Sequence, residues 1–453
     1  MDEFEELKEL YINKTAIVEI PPWIGSLKKL EVLSAASCKS LVGLPDSISH
    51  LVNLLTLDLN RCPRLCKLLE SIGSLVKLER LSCNDHWDSR ERSDLSICEL
   101  PKSIGDLKIL KILDINYRKK LSNLPSTISK LGNLEELDAT CCENLKGEIH
   151  IDGLASLKIL KLSCTSVFDF HGTFDKLSHL EELKVDGCRM LRSLSELPAS
   201  LIVLKVTGQH RTFPQLSHLI HLKVLDVTDC PLLESMPELP SGLLRLHVLF
   251  CGGLREFLSL SSLEFLSYLF LKCYGELTKI EGLEGLKSLA TLDVNGCGKL
   301  SNLDGLEHLE SLRGLYLVSN GPILNDDKVQ GLEKLKNLEK LHGKYCESLV
   351  RLDVSQLTHL QRAQGIEASK LLKKRAFSDA TIFLFHIGNA LKTLALSITL
   401  ASPACVGNDR SFLLASFIRL RTLRALAPIA ECVELSVVDR GRNLLTRSEF
   451  GPC

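Results

Sequence analysis

The sequence has little of what catalytic and membrane chains are usually built from. Aromatic residues make up only 5% of it, with 2 Trp and 3 Met, so leucine must supply most of any core. Lys+Arg and Asp+Glu nearly cancel, 55 against 56, for a net charge of −1. With so little net charge, no global field recruits nucleic acid or an anionic membrane surface. The opening MDEFEELKEL is acidic and amphipathic and lacks the basic start and apolar stretch of a secretory signal, which predicts a cytoplasmic protein. No dinucleotide fingerprint, paired-carboxylate motif or Ser/His/Asp grouping stands apart from the rest of the chain. NGCGKL, at 295–300, suggests a phosphate loop, but Asp293 replaces its first glycine and Leu300 its hydroxyl residue. These absences predict neither an enzyme nor a bound cofactor.

Leucine, by contrast, is abundant and falls in a fixed rhythm. The pattern L-x-x-L-x-L-x-x-(C/N) starts at Leu7, Leu30, Leu54, Leu78, Leu110, Leu134, Leu157, Leu180, Leu201, Leu222, Leu243, Leu266, Leu289, Leu312 and Leu338, giving fifteen units, most of them 21 to 24 residues apart. The second half of many units reads L-x-x-L-P-x-x-I-x-x-L, as in LVGLPDSISHL and LSNLPSTISKL. A period of this length is that of a leucine-rich repeat. Within L-x-L the apolar residues alternate with period two, which makes a short strand with one face inward; the proline and the following SIGSL-type run then turn the chain back. One unit cannot bury its own leucines, but stacked units can. The expected fold is an α/β solenoid, a horseshoe with a parallel β-sheet on its concave face and irregular or short helical segments on its convex face. At about 4.8 Å per strand the sheet would extend roughly 65 Å. The solenoid is expected over residues 1–360 and a non-repeat tail, helical or poorly ordered, over 361–453.

Seventeen cysteines need an explanation in such a chain. Eight of them, Cys38, Cys62, Cys142, Cys188, Cys230, Cys251, Cys297 and Cys346, share one slot, eight residues after the start of a unit. Thr15, His86, Arg118, Thr165, Gln209, Tyr274 and Asn320 fill that slot elsewhere. There the backbone leaves the strand and bends inward, where a small side chain with a weak S–H donor tolerates burial. Buried, reduced scaffold cysteines are therefore expected, because disulfide frameworks belong to short secreted chains. Cys62, Cys66, Cys83 and His86 loosely imitate zinc-ligand spacing. Cys62 and His86 are slot residues, Cys83 takes an inward strand position and Cys66 lies on the returning segment, so no metal site is predicted. Cys141 and Cys142 face opposite sides of the chain and cannot ligate together.

The repeat also dictates which side chains point outward. Between the second and third leucines of successive units the column reads Tyr11, Ser34, Asp58, Ser82, Asp114, Asp138, Lys161, Lys184, Lys205, Asp226, His247, Phe270, Asp293, Tyr316 and His342. An acidic zone is followed by three consecutive lysines and then by an aromatic zone, where Leu249, Phe250 and Tyr268 also face out. Contiguous exposed apolar groups mark contact surfaces. The candidate partner-binding residues are Leu249, Phe250, Tyr268 and Phe270, with Lys161, Lys184 and Lys205 beside them; a covering by the tail or an adjoining domain is the competing expectation. A second candidate contact element is the charged insertion of the fourth unit, HWDSRERSDLSICEL, which carries Trp87.

With its units written as L-x-x-L-x-L-x-x-C-x-x-L-x-x-L-P-x-S-I-x-x-L, the chain resembles the leucine-rich-repeat region of plant nucleotide-binding disease-resistance proteins, particularly those with a TIR domain. CKSLVGLPDSISHLVNLLTLDL and LRSLSELPASLIVLKVTG carry the likeness best, and it covers residues 7–360. The resemblance implies recognition of a pathogen-derived or modified host protein, or of another domain of an immune receptor. It implies no ATP binding or NAD cleavage, because no P-loop, nucleotide-binding module or TIR domain is present in this sequence. Extracellular plant repeat receptors favour N-x-L-x-G-x-I-P. Apart from EIPPWIGSL at 19–27 this chain prefers L-P, which again predicts an intracellular module. The alternative is a repeat scaffold or substrate-receptor subunit of a ubiquitin ligase, for which no adaptor-binding helix pair is found. The first unit has no polar cap before it, which fits a truncated form, a fragment of a longer receptor or a chain that pairs with a second one. From Gln361 the rhythm stops; the remainder carries 13 Lys+Arg against 7 Asp+Glu. Its apolar run at 380–406 is interrupted by His386, Asn389 and Lys392, so two amphipathic helices are expected rather than a membrane span.

Overall fold

A computed structural model describes residues 6–85, 96–254, 259–273, 277–300, 302–317, 331–343 and 357–364. The chain divides into two units, Met1–Arg375 and Ala376–Cys453. The second unit lies wholly outside the described residues, as do the apolar run of the tail, Trp87 with most of the insertion around it, His86 and Cys346.

Among the described residues the first unit carries eighteen short strands: β1 (Glu9–Tyr11), β2 (Val32–Ser34), β3 (Thr56–Asp58), β4 (Arg80–Ser82), β5 (Ile112–Asp114), β6 (Glu136–Asp138), β7 (Lys146–His150), β8 (Ile159–Lys161) and β9 (Ser166–His171). They continue as β10 (Glu182–Val185), β11 (Val203–Val206), β12 (Val224–Thr228), β13 (Arg245–Leu249), β14 (Tyr268–Lys272), β15 (Thr291–Asp293), β16 (Gly314–Tyr316), β17 (Lys340–His342) and β18 (Arg362–Gln364). Sixteen of them form a single parallel sheet in chain order, and β7 pairs with β9 in a separate two-stranded sheet. This is the leucine-rich-repeat horseshoe that the rhythm predicts. Each of the fifteen units supplies one strand, and β18 pairs with β17 as a sixteenth. In β18 Ala363 stands opposite Leu341, so the sheet continues where the leucine has been lost.

Period-two alternation sets the interior. Leu33, Leu57, Leu81 and Leu113 stand opposite one another in β2 to β5, and each is fully buried. Each removes enough apolar surface from water to contribute on the order of 2 kcal/mol. After the strand the chain returns through a proline and a 3-10 turn. Pro21, Pro45, Pro101 and Pro125 are extended and precede turns at Pro22–Ser26, Asp46–His50, Lys102–Asp106 and Ser126–Lys130. The isoleucine of each turn, Ile24, Ile48, Ile104 and Ile128, drops into the core. Near the other end Gly282, Gly305 and Gly331, all with positive φ, open the turns instead. Among the described residues every helical segment is such a 3-10 turn, and no helix is long and apolar enough to cross a membrane.

One backbone feature recurs in almost every unit. The residue just before the cysteine slot takes a left-handed conformation: Lys14, Ser37, Arg61, Tyr117, Cys141, Cys164, Asp229, Phe250 and Cys273 all have φ between 53° and 61°, and Gly187 and Gly296 do the same. This conformation turns the next residue inward, and its own N–H continues the ladder, as Arg61 N–H does to the Asn84 carbonyl at 2.8 Å. The slot thiols follow from this turn. Cys38, Cys62, Cys142, Cys188, Cys230, Cys251 and Cys297 are all fully buried. Most donate to the carbonyl that ends the strand of the preceding unit: Cys38 to Ile12, Cys62 to Ala35, Cys142 to Ile115, Cys188 to Leu162 and Cys297 to Leu271, at 3.0–3.2 Å. Burial pushes the thiols of Cys62 and Cys142 up, to about 11 and about 12. Of the residues that imitate zinc-ligand spacing, Cys62 thus turns its Sγ to Ala35 while Cys66 donates to the Val42 carbonyl at 3.3 Å.

Candidate protein-recognition surface

The concave ladder is continuous. Tyr11, Ser34, Asp58, Ser82, Asp114 and Asp138 stand opposite one another, followed by Lys161, Lys184, Lys205, Asp226, His247, Phe270, Asp293, Tyr316 and His342. Local chemistry divides it into three zones.

In the first zone the carboxylates are tied up in the backbone. The Oδ1 atoms of Asp58, Asp114 and Asp138 accept the N–H groups of Asn60, Asn116 and Thr140, two residues on, at 2.9–3.3 Å. These are Asx turns that end each strand. Ser34 Oγ donates to Asn13 Oδ1 and Asp58 Oδ2, and Asn84 Nδ2 to Asp114 Oδ2 at 2.7 Å. Burial raises the Asp114 pKa, opposed by the hydrogen bonds from Asn84 and Asn116. The acidic column is therefore mainly structural, a role its spacing of two from Asn or Thr signals in the sequence.

The second zone is close to neutral. Lys161 Nζ lies 2.8 Å from Glu136 and 3.8 Å from Asp138, Lys184 Nζ 2.7 Å from Glu182, and Lys205 Nζ 3.7 Å from Asp226. Desolvation works against the Lys161 cation, but the hydrogen bond to Glu136 and the nearby carboxylates hold its pKa above the ordinary value. Burial likewise opposes the Asp226 carboxylate, yet His247, Thr228 and Lys205 hold its pKa below the usual range.

In the third zone the apolar candidates lie on the neighbouring strands β13 and β14, interleaved with Arg245, His247 and Lys272. Tyr268 on β14 stands opposite Arg245 on β13, Phe270 opposite His247, and Leu249 opposite Lys272. The Arg245 guanidinium sits 5.1 Å from the Tyr268 ring centre. His247 meets Phe270 edge to face, with centroids 4.4 Å apart. Lys272 lies 5.5 Å from the Phe270 ring and 2.6 Å from Asp293. Phe250 and Tyr268 are 56% and 40% exposed, while Leu249 and Phe270 are half-buried. Phe250 lies one residue beyond β13, at the left-handed position, so it borders the patch where the strand ends. Arg245, His247 and Lys272 belong to the patch equally, and outward alternation on β13 and β14 is the signal that identifies them.

The slot holds one further residue with a large role. Arg118 is fully buried. Its Nε donates to the Cys83 carbonyl at 2.5 Å and Nη1 to the Cys62 carbonyl at 3.2 Å, while Nη2 lies 3.4 Å from the Asn84 carbonyl. The side chain thus reaches back across the fourth unit into the third.

Residues 91–205 match the family model described as a leucine-rich repeat region. The chain is 31% identical over 122 residues to the disease resistance protein RML1A of Arabidopsis thaliana, an alignment covering 26% of this chain and 12% of that protein. It is 34% identical over 97 residues to the TMV resistance protein N of Nicotiana glutinosa, covering 18% and 8%. The match therefore spans only a small part of these relatives. Among solved structures, the functional domain of InlJ from Listeria monocytogenes, which includes a cysteine ladder, aligns with a TM-score of 0.52 at 18% identity, over 79% of this chain and 67% of that one. The crystal structure of PEPR1-AtPEP1 aligns with a TM-score of 0.50 at 18% identity, over 72% and 47%. The rhythm, the sixteen-stranded sheet and these likenesses agree: the chain is a leucine-rich-repeat solenoid, a protein-interaction fold, with repeats similar to plant disease-resistance proteins.

Proposed function

We propose that this solenoid is a cytoplasmic protein-recognition module of plant innate immunity that binds a protein partner through its concave face and performs no chemistry of its own. The observation that carries the reading is the aromatic zone. Leu249 and Phe250 at the end of β13 and Tyr268 and Phe270 on β14 lie on adjoining strands, interleaved with Arg245, His247 and Lys272, and we read them as one mixed apolar and cationic contact surface. Aromatic and Arg anchors of this kind dominate protein interfaces. Lys161, Lys184 and Lys205 lie on the same ladder, on β8, β10 and β11, with Asp226 of β12 between them and the patch, and contribute orientation, exchanging their present carboxylates for those of the partner.

The test is a titration of wild type and Phe270→Ala against a partner captured from plant extract, with circular dichroism to establish folding. Phe270→Ala is expected to weaken binding by about 1 to 3 kcal/mol. Equal binding by a folded Phe270→Ala and by Tyr268→Ala rejects the concave aromatic site.

A further inference from the structure

Outside the concave sheet, the returning segments of the sixth and seventh units form the parallel pair β7 and β9. Their register shifts between Gly147 and Glu148: Gly147 faces Val167, but Glu148 faces Asp169, so Phe168 is the extra residue. A bulge re-aims the side chains that follow it. Without that shift His150 would face Phe170; with it, His150 faces His171.

The two imidazole centres are 4.8 Å apart. Asp152 joins them, and one ligand atom from each of the three residues lies within 4.8 Å of the others. The backbone beneath is fixed. Ile149 and Val167 are buried, and Ile151 N–H donates to the His171 carbonyl at 2.9 Å. Gly172, with φ of +104°, lets the chain come so near that a Cβ there would lie 3.0 Å from both Cα and Cβ of Asp152. A side chain at 172 would push Asp152 away from the histidines.

We propose that His150, Asp152 and His171 bind a divalent first-row transition-metal ion, zinc being the best match. Two imidazole nitrogens and one carboxylate oxygen suit zinc and its neighbours, whereas magnesium and calcium prefer all-oxygen sets. Metal–ligand bonds of about 2.0–2.2 Å around a tetrahedral centre place ligand atoms about 3.4 Å apart. The side chains must therefore close in by rather more than an ångström. Half-exposed and exposed residues achieve this by rotating about their χ angles. Three protein ligands leave the fourth position to water or to a donor from another molecule. The ion ties the returning strand of one repeat unit to the next, adding to a junction that in other units is made by backbone hydrogen bonds such as Val42 N–H to the Val18 carbonyl and Ser122 N–H to the Cys98 carbonyl.

The experiment uses the full chain, stripped of metal and with accessible thiols alkylated, since Cys98, Cys164 and Cys273 are exposed and would otherwise compete. Zinc is titrated in competition with a chromogenic chelator, and cobalt(II) is followed by its visible absorption. One equivalent is expected to bind, with His171→Gln and Asp152→Asn each weakening affinity at least about tenfold. Zinc is expected to raise the Tm of wild type and to leave that of His171→Gln unchanged. His150→Gln serves as a second variant should either of the others unfold. Equal affinity in wild type and a folded variant, or no uptake by wild type, overturns the site.

Discussion

Replacing Arg118 by alanine is the most direct test of how the slot column holds the array together. In the first, second and fifth units the carbonyl at the end of the strand receives a thiol; in the fourth unit that carbonyl belongs to Cys83, and Arg118 Nε reaches it at 2.5 Å. The other two acceptors keep a backbone donor without Arg118, because Leu65 N–H bonds the Cys62 carbonyl and Arg61 N–H the Asn84 carbonyl. The substitution therefore orphans chiefly one buried carbonyl, which costs about 1–3 kcal/mol. It also empties a fully buried space, at about 2–5 kcal/mol before relaxation. Relief from burying a guanidinium, with Asp85 3.9 Å away, offsets part of this. The net expectation is a loss of about 3 kcal/mol. Arg118→Cys is expected to cost less than Arg118→Ala, because a thiol restores the slot donor. Repeat arrays need not unfold in one step, so urea unfolding is paired with hydrogen exchange at the amides of Leu59, Arg61 and Cys83. A change below about 0.5 kcal/mol, the level of an ordinary surface substitution, with exchange unaltered, refutes the structural role.

Cys230→Ser is expected to cost about 1 kcal/mol in urea unfolding and to leave partner binding unchanged, because the hydroxyl keeps a donor but loses buried contact. Gly105→Ala is expected to cost about 1–3 kcal/mol, since a Cβ there would lie 2.3 Å from the Thr127 carbonyl oxygen in the stacked turn of the next unit; normal stability in that variant contradicts the stacking. Burial holds His210 neutral and lowers its pKa from 6.5 to about 4. Its contribution is present above pH 6.5 and is lost as the pH falls toward 4, up to about 3 kcal/mol by linkage. Urea midpoints between pH 7 and pH 4 should fall more steeply in wild type than in His210→Leu.

Where the period of the sequence is the period of the structure, the fold was legible. Leu57 and Leu81 are opposite one another because each occupies the same place in its unit, and the inward slot of Cys62 follows from the same count. Features that depend on departures from the repeat were not legible. The pairing of His150 with His171 rests on a bulge that no apolar pattern records, and the reach of Arg118 depends on the unusual fourth unit. The left-handed residue before the slot carries no uniform signature, because Lys14, Tyr117, Cys164 and Phe250 all adopt it. Its conformation is imposed by the ladder on either side. The neutralisation of the lysine zone lies between these cases. Glu182 and Lys184 are two apart on β10 and share a face, so their pairing is implicit in strand alternation, but reading the lysines as one column leaves Glu136 and Glu182 of the neighbouring column out of view.

The zones of the concave ladder differ in what a partner must break. Asp58, Asp114 and Asp138 already serve backbone N–H groups, so a ligand competing for those atoms would loosen the ends of the strands. Lys161 and Lys184 must exchange one carboxylate for another, a trade that yields little net energy at partly exposed sites. Around Phe250, Tyr268 and Phe270 the balance changes. The rings present apolar area whose burial stabilises a complex at roughly 25 cal/mol per Å², and the flanking Arg245 is held against the Tyr268 ring rather than locked into the backbone, while Lys272, like the lysines of the second zone, is paired with a carboxylate, that of Asp293. Under the proposed reading, affinity is therefore concentrated in β13 and β14, whereas the paired lysines act on orientation and on the choice between partners of different charge. The regular strand pitch that stacks the leucines also holds these zones in order along one face.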